Sequence, residues 1–411
     1  MKIYKPLAEI KYSIIRAIAE KVSLVNRNLP PEKQIINLTM GQNYIGDPTP
    51  IIKRIGWLYK ENIRPFLYAP SLGTLDARES IANNFYRLWY NITLDVKDVM
   101  ITDGGMGAIR NAMGAIVRDG DIVVIDPLTF VYALDSLKIL GRKYELYVLD
   151  ANVDTFFVVP ADKVIEKIGE IANNNPDKNV IYYTQFGFNP GGAFRSKQEL
   201  RRIVEFIDDS KNIFLVNDIV YHLIRFDEFE MPLSSYLSAE GKNIVDCDTL
   251  SKPFSLMGLR VGAMITRDQE IFNAAAKVQQ YMVVSPNLLA CEIWRIVSDP
   301  DAFPELKRRV IELNNSLKEN LGIIDDLYKK TSLELVSPHQ GTLYALVRIP
   351  HNNAEEFVDD LIEKANVAIV PGTAFEVIPK YGKSFARITI SFPKYLIEEA
   401  AERIEKYMHI I

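Results

Sequence analysis

The sequence is poor in the residues that build metal centres and disulfide frameworks. Its 411 residues include two cysteines, Cys247 and Cys291, and four scattered histidines without metal-ligand spacing. No uninterrupted apolar run is long enough to span a bilayer, and charges interrupt the N-terminal segment MKIYKPLAEIKYSI where a signal peptide needs an apolar core. These absences predict a cytoplasmic protein with no metal site, no disulfide framework and no membrane partner.

An excess of positive charge is also missing. Lys and Arg number 48 against 53 Asp and Glu, which gives a formal net charge of −5 and no electrostatic reason to expect a nucleic-acid partner. Hydrophobic residues make up 48% of the chain and charged residues 25%. This balance is typical of a globular protein with a large core, so it excludes fibrous and mainly disordered classes.

The centre of the chain alternates short apolar runs with stretches of helical spacing. Near-continuous apolar runs separated by helices predict an α/β fold with a mostly parallel sheet that helices cover on both faces. In such sheets, ligands bind at the carboxyl ends of the strands. The apolar runs are Val99–Thr102, Ile122–Ile125, Val180–Tyr183, Ile213–Val216 and Ile244–Val245.

The two ends of the chain differ from this α/β centre. Helical spacing covers Leu7–Val25, and beyond residue 290 the chain is helical and highly charged before strand-like runs return. The sequence therefore predicts a large domain at 46–290 and a smaller α+β domain built from 1–45 and 291–411. The strand-like runs of the smaller domain are Thr342–Ile349, Val367–Val370 and Ala386–Ser391.

The most informative segment is DTLSKPFSLMGLRVG, which starts at Asp248 and follows an apolar run. A lysine in apolar surroundings, such as Lys252, loses part of its preference for the charged form, so its amine can act as a nucleophile. The hydroxyl of Thr249 and the guanidinium of Arg260 suit a phosphate. An isolated lysine after a strand is usually a surface residue, so other segments must support this interpretation.

A glycine-rich turn, Gly104-Gly105-Met106-Gly107, follows the first apolar run. Where a strand passes into a helix, backbone N–H groups and the helix dipole favour a phosphate. Tight packing is an alternative explanation, because glycine-rich turns are common. The full G-x-G-x-x-G spacing of a dinucleotide site is absent, which argues against a nucleotide-binding oxidoreductase.

Further segments stand in a recognisable order along the chain. They are Tyr68-Ala-Pro-Ser-Leu-Gly73, Phe188-Asn-Pro-Gly-Gly192, Asp218-Ile-Val-Tyr221 and Ser251-Lys252-x-Phe254-Ser255-x-x-Gly258-x-Arg260-x-Gly262. With them the chain resembles the fold-type I pyridoxal-phosphate enzymes, specifically the aspartate-aminotransferase-like (class I/II) aminotransferases. The resemblance covers nearly the whole chain and implies a seven-stranded, mostly parallel sheet in the large domain.

The resemblance also implies a cofactor site for pyridoxal 5'-phosphate. It assigns Lys252 to the imine with the cofactor aldehyde and to proton transfer, and Asp218 to the pyridine nitrogen. It assigns Tyr221 and Asn189 to the phenolate oxygen of the ring. The groups that it assigns to the phosphate are the backbone N–H groups of Gly105 and Met106, Thr249, Arg260, and Tyr68 of the partner subunit.

Substrate contacts follow from the same resemblance. Arg387, in FARITIS, matches the arginine that binds the substrate α-carboxylate by a bidentate pair. The backbone of Gly41 approaches this carboxylate, and Asn189 borders it. Phe130 matches the aromatic residue that stacks on the cofactor ring, although a one-residue shift puts Thr129 there. The family commonly has proline where this chain has Asn43, which leaves the shape of that loop open.

The implied activity is a ping-pong transfer of an amino group between an α-amino acid and a 2-oxo acid by a homodimer. Tyr44, Phe186 and Phe188 hint at an aromatic or broad substrate range, although core packing explains them equally well. C–S lyases and cyclopropane-forming synthases share the fold and most of these residues, so the sequence keeps them as alternatives. Non-enzymatic regulators that sense pyridoxal phosphate carry an N-terminal DNA-binding domain, and the family-like segment Leu38–Gly41 starts too early to leave room for one.

Overall fold

The computed structural model describes residues 10, 12–61, 67–151, 153–336 and 338–410. Of the helix expected at Leu7–Val25, residues 7–9 and 11 lie outside the described residues, residues 10, 12 and 13 are not helical, and the helix begins at Ile14 after the N-cap residue Ser13. Within these ranges the strands are β1 (Ile36–Asn37), β2 (Val99–Asp103), β3 (Ile122–Ile125), β4 (Glu145–Val148), β5 (Val180–Gln185), β6 (Ile213–Asp218), β7 (Ile244–Thr249), β8 (Val261–Ile265), β9 (Glu334–Val336), β10 (Tyr344–Arg348), β11 (Val367–Ala368), β12 (Val370–Pro371) and β13 (Phe385–Thr389).

The helices alternate with these strands along the centre of the chain. A π-helical segment, Ile81–Phe85, joins the helices Leu75–Ser80 and Tyr86–Tyr90, and a second one, Leu361–Ala365, extends the helix Ala354–Asp360. The α-helices are α1 (Ile14–Asn26), α2 (Thr49–Glu61), α3 (Leu75–Ser80), α4 (Tyr86–Tyr90), α5 (Gly105–Ile116), α6 (Tyr132–Ile139), α7 (Ala161–Asn174), α8 (Lys197–Asp208), α9 (Gln269–Val283), α10 (Leu288–Val297), α11 (Phe303–Lys330), α12 (Ala354–Asp360) and α13 (Lys394–Met408).

The main sheet has seven strands in the order β2-β8-β7-β6-β5-β3-β4. β8 runs antiparallel to both of its neighbours, whereas the pairs from β7 to β4 are parallel. This arrangement confirms the expected mostly parallel α/β sheet. The side chains of one strand alternate between two buried clusters, since Val123 joins one cluster and Val124 the other. Both faces of the sheet are therefore covered, as the continuous apolar runs require.

A smaller antiparallel sheet has the strand order β12-β13-β10-β9. Arg387 lies on β13, opposite Leu346 of β10 and Val370 of β12. A separate parallel pair, β1 with β11, brings the residues before Leu38 alongside the C-terminal part of the chain. The partition into 46–290 and the two terminal segments stays a prediction, and its boundary at residue 290 falls within α10.

The helices of the described residues are short or carry many charges. None of them combines the length and the apolar character that a membrane crossing requires.

Candidate active site

A cavity of about 720 Å³ opens where β6 and β7 of the main sheet end and extends to β13 of the smaller sheet. Tyr68 does not line it, and this side chain is 88% exposed. The predicted site residues that line the cavity are Gly41, Gly105, Met106, Phe130, Asn189, Asp218, Tyr221, Thr249, Lys252, Arg260 and Arg387. Residues that are up to 346 positions apart in the chain therefore meet in one cavity.

Lys252 follows β7 and is half-buried. Its Nζ donates a hydrogen bond of 2.6 Å to the carbonyl oxygen of Gly41. The Asn43 side chain donates to the carbonyl oxygen of Lys252 at 2.8 Å and accepts the N–H of Gly46 at 2.8 Å. The residue that replaces the family's proline thus holds the lysine segment against the 41–46 loop, a role that sequence reasoning missed.

Asp218 is the last residue of β6 and is buried. Its carboxylate accepts hydrogen bonds from the N–H of Val220 at 3.3 Å, the hydroxyl of Tyr183 at 3.1 Å and Nε2 of Gln185 at 3.4 Å. Burial raises the pKa of Asp218 to about 6, although these donors and the nearby charge of Lys252 oppose the rise. A cation bound in the cavity beside this carboxyl would therefore favour its ionised form.

Arg387 is 1% exposed, which is unusual for an arginine. Nη1 donates to Oδ1 of Asn189 at 2.8 Å, and Nη2 donates to the carbonyl oxygen of Thr39 at 2.5 Å. The guanidinium lies between the rings of Tyr344 and Phe375, at 4.0 and 4.7 Å from their centroids. Burial lowers the pKa of Arg387, but an arginine stays charged in proteins.

One hydrogen-bond donor of the buried Arg387 guanidinium is unpaired among the described residues. Nε of Arg387 has no hydrogen-bond acceptor among the described residues. An unpaired buried donor on a charged group is costly, so such groups normally meet a partner. A carboxylate that enters the cavity would supply that partner.

The phosphate-binding features predicted from the glycine-rich turn lie between β2 and α5. Gly104 has a φ of +80°, and a Cβ there would lie 2.6 Å from Nη2 of Arg260, so only glycine fits. The first N–H groups of α5, which include those of Gly105 and Met106, have no partner within the helix. Arg260 is held beside them by a 2.9 Å bond from Nη1 to the carbonyl oxygen of Met257.

These groups fit pyridoxal 5'-phosphate by their chemistry. The helix N-terminus and the guanidinium of Arg260 suit a phosphate, whereas the buried hydroxyl of Thr249 lines the cavity but donates to the carbonyl oxygen of Val261 at 2.6 Å. The amine of Lys252 suits an aldehyde, and the carboxyl of Asp218 suits a protonated ring nitrogen. All of them line the same cavity, so one molecule of this cofactor is able to meet them together.

The aromatic residues and Thr129 that were expected near the site lie in different surroundings. Phe130 lines the cavity, whereas Thr129 is buried outside the lining, with its hydroxyl 3.4 Å from Oε1 of Gln185. Phe186 and Phe188 are buried outside the lining as well, so core packing explains them. Tyr44 is half-exposed and stacks on a core ring, 4.4 Å from the centroid of Phe392.

Several lining residues were not anticipated from the sequence. Tyr344 of β10 and Gln185 of β5 reach the cavity from strands whose apolar patterns carry no functional signal. α1 and the residues just before it add a mixed rim, in which Arg16 is the cation among the residues that the structure describes. These rim residues are Tyr12, Ser13, Ile15 and Arg16.

Comparison with known proteins agrees with this geometry. The family described as "Aminotransferase class I and II" matches residues 33–404. An aspartate aminotransferase of Pyrococcus horikoshii is 26% identical over 409 residues, which cover 95% of this chain and 96% of the relative. Aromatic-amino-acid aminotransferase 2 of Thermococcus litoralis is 25% identical over 350 residues, which cover 83% of this chain and 84% of the relative.

The fold agrees as well. The crystal structure of an aminotransferase from Mycobacterium tuberculosis superposes with a TM-score of 0.87 over the full length of both chains, at 22% identity. Because the family matches nearly the whole chain and the cavity carries the groups that its cofactor requires, this chain belongs to the class I and II aminotransferases, enzymes that transfer amino groups with pyridoxal 5'-phosphate.

Proposed function

We propose that Lys252, Asp218, Tyr221 and Arg387 carry the transfer of an amino group between an α-amino acid and a 2-oxo acid. The observation that supports this assignment is the shared cavity, in which the amine of Lys252 and the guanidinium of Arg387 line the same space. An amine that exchanges protons at Cα and a cation that holds the α-carboxylate are the two groups that an α-amino acid requires.

In this proposal Arg387 binds and orients the substrate. Its Nη groups are already fixed by Asn189 and Thr39, so the guanidinium is rigid before the substrate arrives. Its unpaired Nε donor then meets the α-carboxylate. The 2.8 Å bond from Arg387 also occupies Oδ1 of Asn189, which leaves the amide Nδ2 to donate into the cavity.

Lys252 moves the proton. Its Nζ donates to the carbonyl oxygen of Gly41, an uncharged acceptor, and no carboxylate of the described residues forms a salt bridge with the amine. We assign it to take the proton from the substrate Cα and to return it later in the cycle. When bound, pyridoxal phosphate supplies the aldehyde that links to amines and the ring that accepts electrons from Cα.

Asp218 and Tyr221 set the electrostatics around this step. The buried carboxyl of Asp218 would hold a positive charge at the ring nitrogen, and the same charge would keep the carboxyl ionised. Tyr221 is buried, and burial raises its pKa well above the ordinary value, so its hydroxyl keeps its proton and acts as a donor. A donor at the ring oxygen favours the anionic form of that oxygen.

We propose an aromatic or broad substrate range. The cavity has apolar walls that include Met40, Phe130 and Tyr132, and Arg16 adds a positive charge at the rim. Such a lining suits aromatic side chains and also leaves a cation for acidic ones. A panel of amino donors tests this range. Turnover of aspartate alone would refute it.

We also propose a homodimer in which Tyr68 completes the partner's site. Tyr68 is 88% exposed and lies outside the cavity of its own chain, beside Leu67, which is 64% exposed. Exposed apolar side chains next to a site residue are typical of an interface. The cytoplasmic location expected from the composition stays a prediction.

The first experiment is an absorption spectrum of the protein mixed with pyridoxal phosphate. We expect a visible band of the bound cofactor that bleaches with amino acids and returns with a 2-oxo acid. The Lys252→Ala variant is the control and should lack the band. A band that never bleaches reversibly with any amino donor would favour the lyase or synthase alternatives. No band in the wild type would overturn the assignment of the site.

A subunit-mixing experiment tests the role of Tyr68. Lys252→Ala and Tyr68→Ala are each expected to have little activity as pure dimers. If Tyr68 acts across the interface, mixed dimers contain one site with both residues intact, and random exchange restores about a quarter of the wild-type sites. If Tyr68 acts within its own chain, mixing restores nothing, and the proposed interface role is wrong.

A further inference from the structure

Tyr344 occupies the centre of the site without a role in the mechanism so far. It is 2% exposed, and its hydroxyl lies 2.8 Å from the hydroxyl of Tyr221. Its ring lies 4.0 Å from Cζ of Arg387. One side chain therefore contacts both the tyrosine assigned to the cofactor oxygen and the arginine assigned to the substrate.

The space for the Tyr344 hydroxyl depends on a glycine. A Cβ at Gly41 would overlap this hydroxyl and would approach Cζ of Tyr344 to 3.0 Å. The same Gly41 offers its carbonyl oxygen to Lys252. Gly41 therefore leaves room for the end of the Tyr344 side chain next to the carbonyl group that accepts from Lys252.

The direction of the hydrogen bond between the two tyrosines follows from the proposed role of Tyr221. Among the described residues, Tyr221 is the one hydrogen-bond partner of the Tyr344 hydroxyl, and both tyrosines line the cavity. A hydroxyl carries one proton. If Tyr221 donates that proton to the cofactor oxygen, it can only accept from Tyr344, so Tyr344 is the donor between the two tyrosines.

We propose that Tyr344 is a positioning residue whose hydroxyl fixes the direction in which Tyr221 donates its proton. With the Tyr221 oxygen accepting from Tyr344, the Tyr221 proton points at the cofactor oxygen. Two hydroxyls donating in series also polarise one another, which strengthens the second bond. The inference rests on the proposed contact between Tyr221 and the cofactor.

The test is a pH titration of the visible band of the bound cofactor. Tyr344→Phe removes the hydroxyl and keeps the ring that stacks on Arg387. Because a weaker donor at the ring oxygen disfavours the unprotonated form, we expect the apparent pKa of the band to rise by about half a unit, roughly a threefold change in the protonation equilibrium. The KM for the amino donor should change by less than about twofold, because the ring against Arg387 is retained.

Tyr407→Phe is the matched control. Tyr407 is also a buried tyrosine with one hydroxyl hydrogen bond, to Asp360 at 3.0 Å, and it lies outside the cavity. Its removal should leave the band titration unchanged. An equal shift in this variant would show that any loss of a buried hydroxyl moves the titration, and that result would overturn the proposal.

Two further variants separate failure of this inference from failure of the proposed function. If Tyr221→Phe leaves the titration unchanged, Tyr221 does not contact the cofactor and the proposed function is wrong at that residue. If Tyr221→Phe shifts the titration and Tyr344→Phe does not, the inference alone is wrong. In the double variant, Tyr344→Phe should add nothing, because its effect passes through the Tyr221 hydroxyl. An additive effect would show that Tyr344 acts by another route.

Discussion

Replacing Asp218 by Asn tests two effects of the buried carboxylate separately: its cost to the free energy of unfolding and its contribution to catalysis. The pKa of Asp218 is about 6 in the folded chain and 3.8 for an ordinary aspartate, and each pKa unit corresponds to about 1.4 kcal/mol. Ionisation of this carboxyl therefore lowers the free energy of unfolding by about 3 kcal/mol. The sign follows from proton binding. Because the folded chain binds this proton more tightly, stability is greatest below pH 3.8 and falls as the pH rises to about 6 and above.

The assay is urea unfolding of the cofactor-free protein at pH 5 and pH 8. The ionisation penalty of the wild type is about 1.6 kcal/mol at pH 5 and about 3 kcal/mol at pH 8. Asn has nearly the same size and still accepts the N–H of Val220, so the variant escapes the penalty. We expect the stability of Asp218→Asn relative to the wild type to increase by about 1.4 kcal/mol between these pH values.

Asp209→Asn makes the same chemical change at an exposed position and is the matched control. Adding pyridoxal phosphate should stabilise the wild type more than Asp218→Asn, since the variant lacks the charge that pairs with the ring nitrogen. The variant should also lose roughly 100-fold or more in kcat. A stability difference that stays constant from pH 5 to pH 8 would refute the argument that burial opposes ionisation of this carboxyl.

Three further changes test other parts of the site. Gly41→Ala should lower the free energy of unfolding by about 1–3 kcal/mol, because its Cβ collides with Tyr344, and Tyr344→Phe in that background should recover part of the loss in denaturant unfolding. Arg387→Lys should lower kcat/KM for all amino donors by roughly 100-fold in steady-state kinetics, because lysine lacks the planar fork that binds Asn189 and a carboxylate together. Arg16→Met should raise the KM for acidic donors several-fold and leave that for aromatic donors nearly unchanged, because only the acidic side chains gain from the charge at the rim.

Each of these tests has a clear contrary outcome. Full additivity of Gly41→Ala and Tyr344→Phe would mean that the two positions do not compete for space. An unchanged kcat/KM in Arg387→Lys would mean that the carboxylate is bound elsewhere. An equal rise in KM for both classes of donor in Arg16→Met would mean that Arg16 affects the cavity in general and does not act through its charge on acidic side chains.

The sequence predicts best where one local interaction dominates. The run Ile122–Ile125 is a strand with those same bounds, because four consecutive apolar residues are buried on both faces. The strand Glu145–Val148 was missed, because it lies at the edge of the sheet, where its side chains are half-buried or exposed and no apolar pattern is needed. The strand β8 was missed as well, since its first residues, Val261 and Gly262, were interpreted only as the end of the lysine motif.

Predicted site residues such as Asp218 and Lys252 meet because they lie at or just after the ends of neighbouring strands. The resemblance identified them by the order of their motifs along the chain. The roles of Tyr344 and Asn43 were not predicted, because no local sequence pattern indicates them. Tyr344 is one apolar residue among others in YALVR, and its contact with Tyr221 depends on how two sheets face each other. Asn43 was noticed as a departure from proline, but its bond to Lys252 spans 209 positions and leaves no local pattern.

The bonds that hold Arg387 have a consequence for biosynthesis. Thr39, whose carbonyl oxygen accepts from this arginine, precedes it by 348 residues. At about 5–20 residues per second, a ribosome needs roughly 20–70 s to cover that interval. A nascent chain that stops short of β13 already contains all seven strands of the main sheet, with Asp218 and Lys252, but it lacks the group assigned to the substrate carboxylate. The chain therefore acquires the groups assigned to the cofactor before the group assigned to the substrate carboxylate, and only the nearly complete chain contains both.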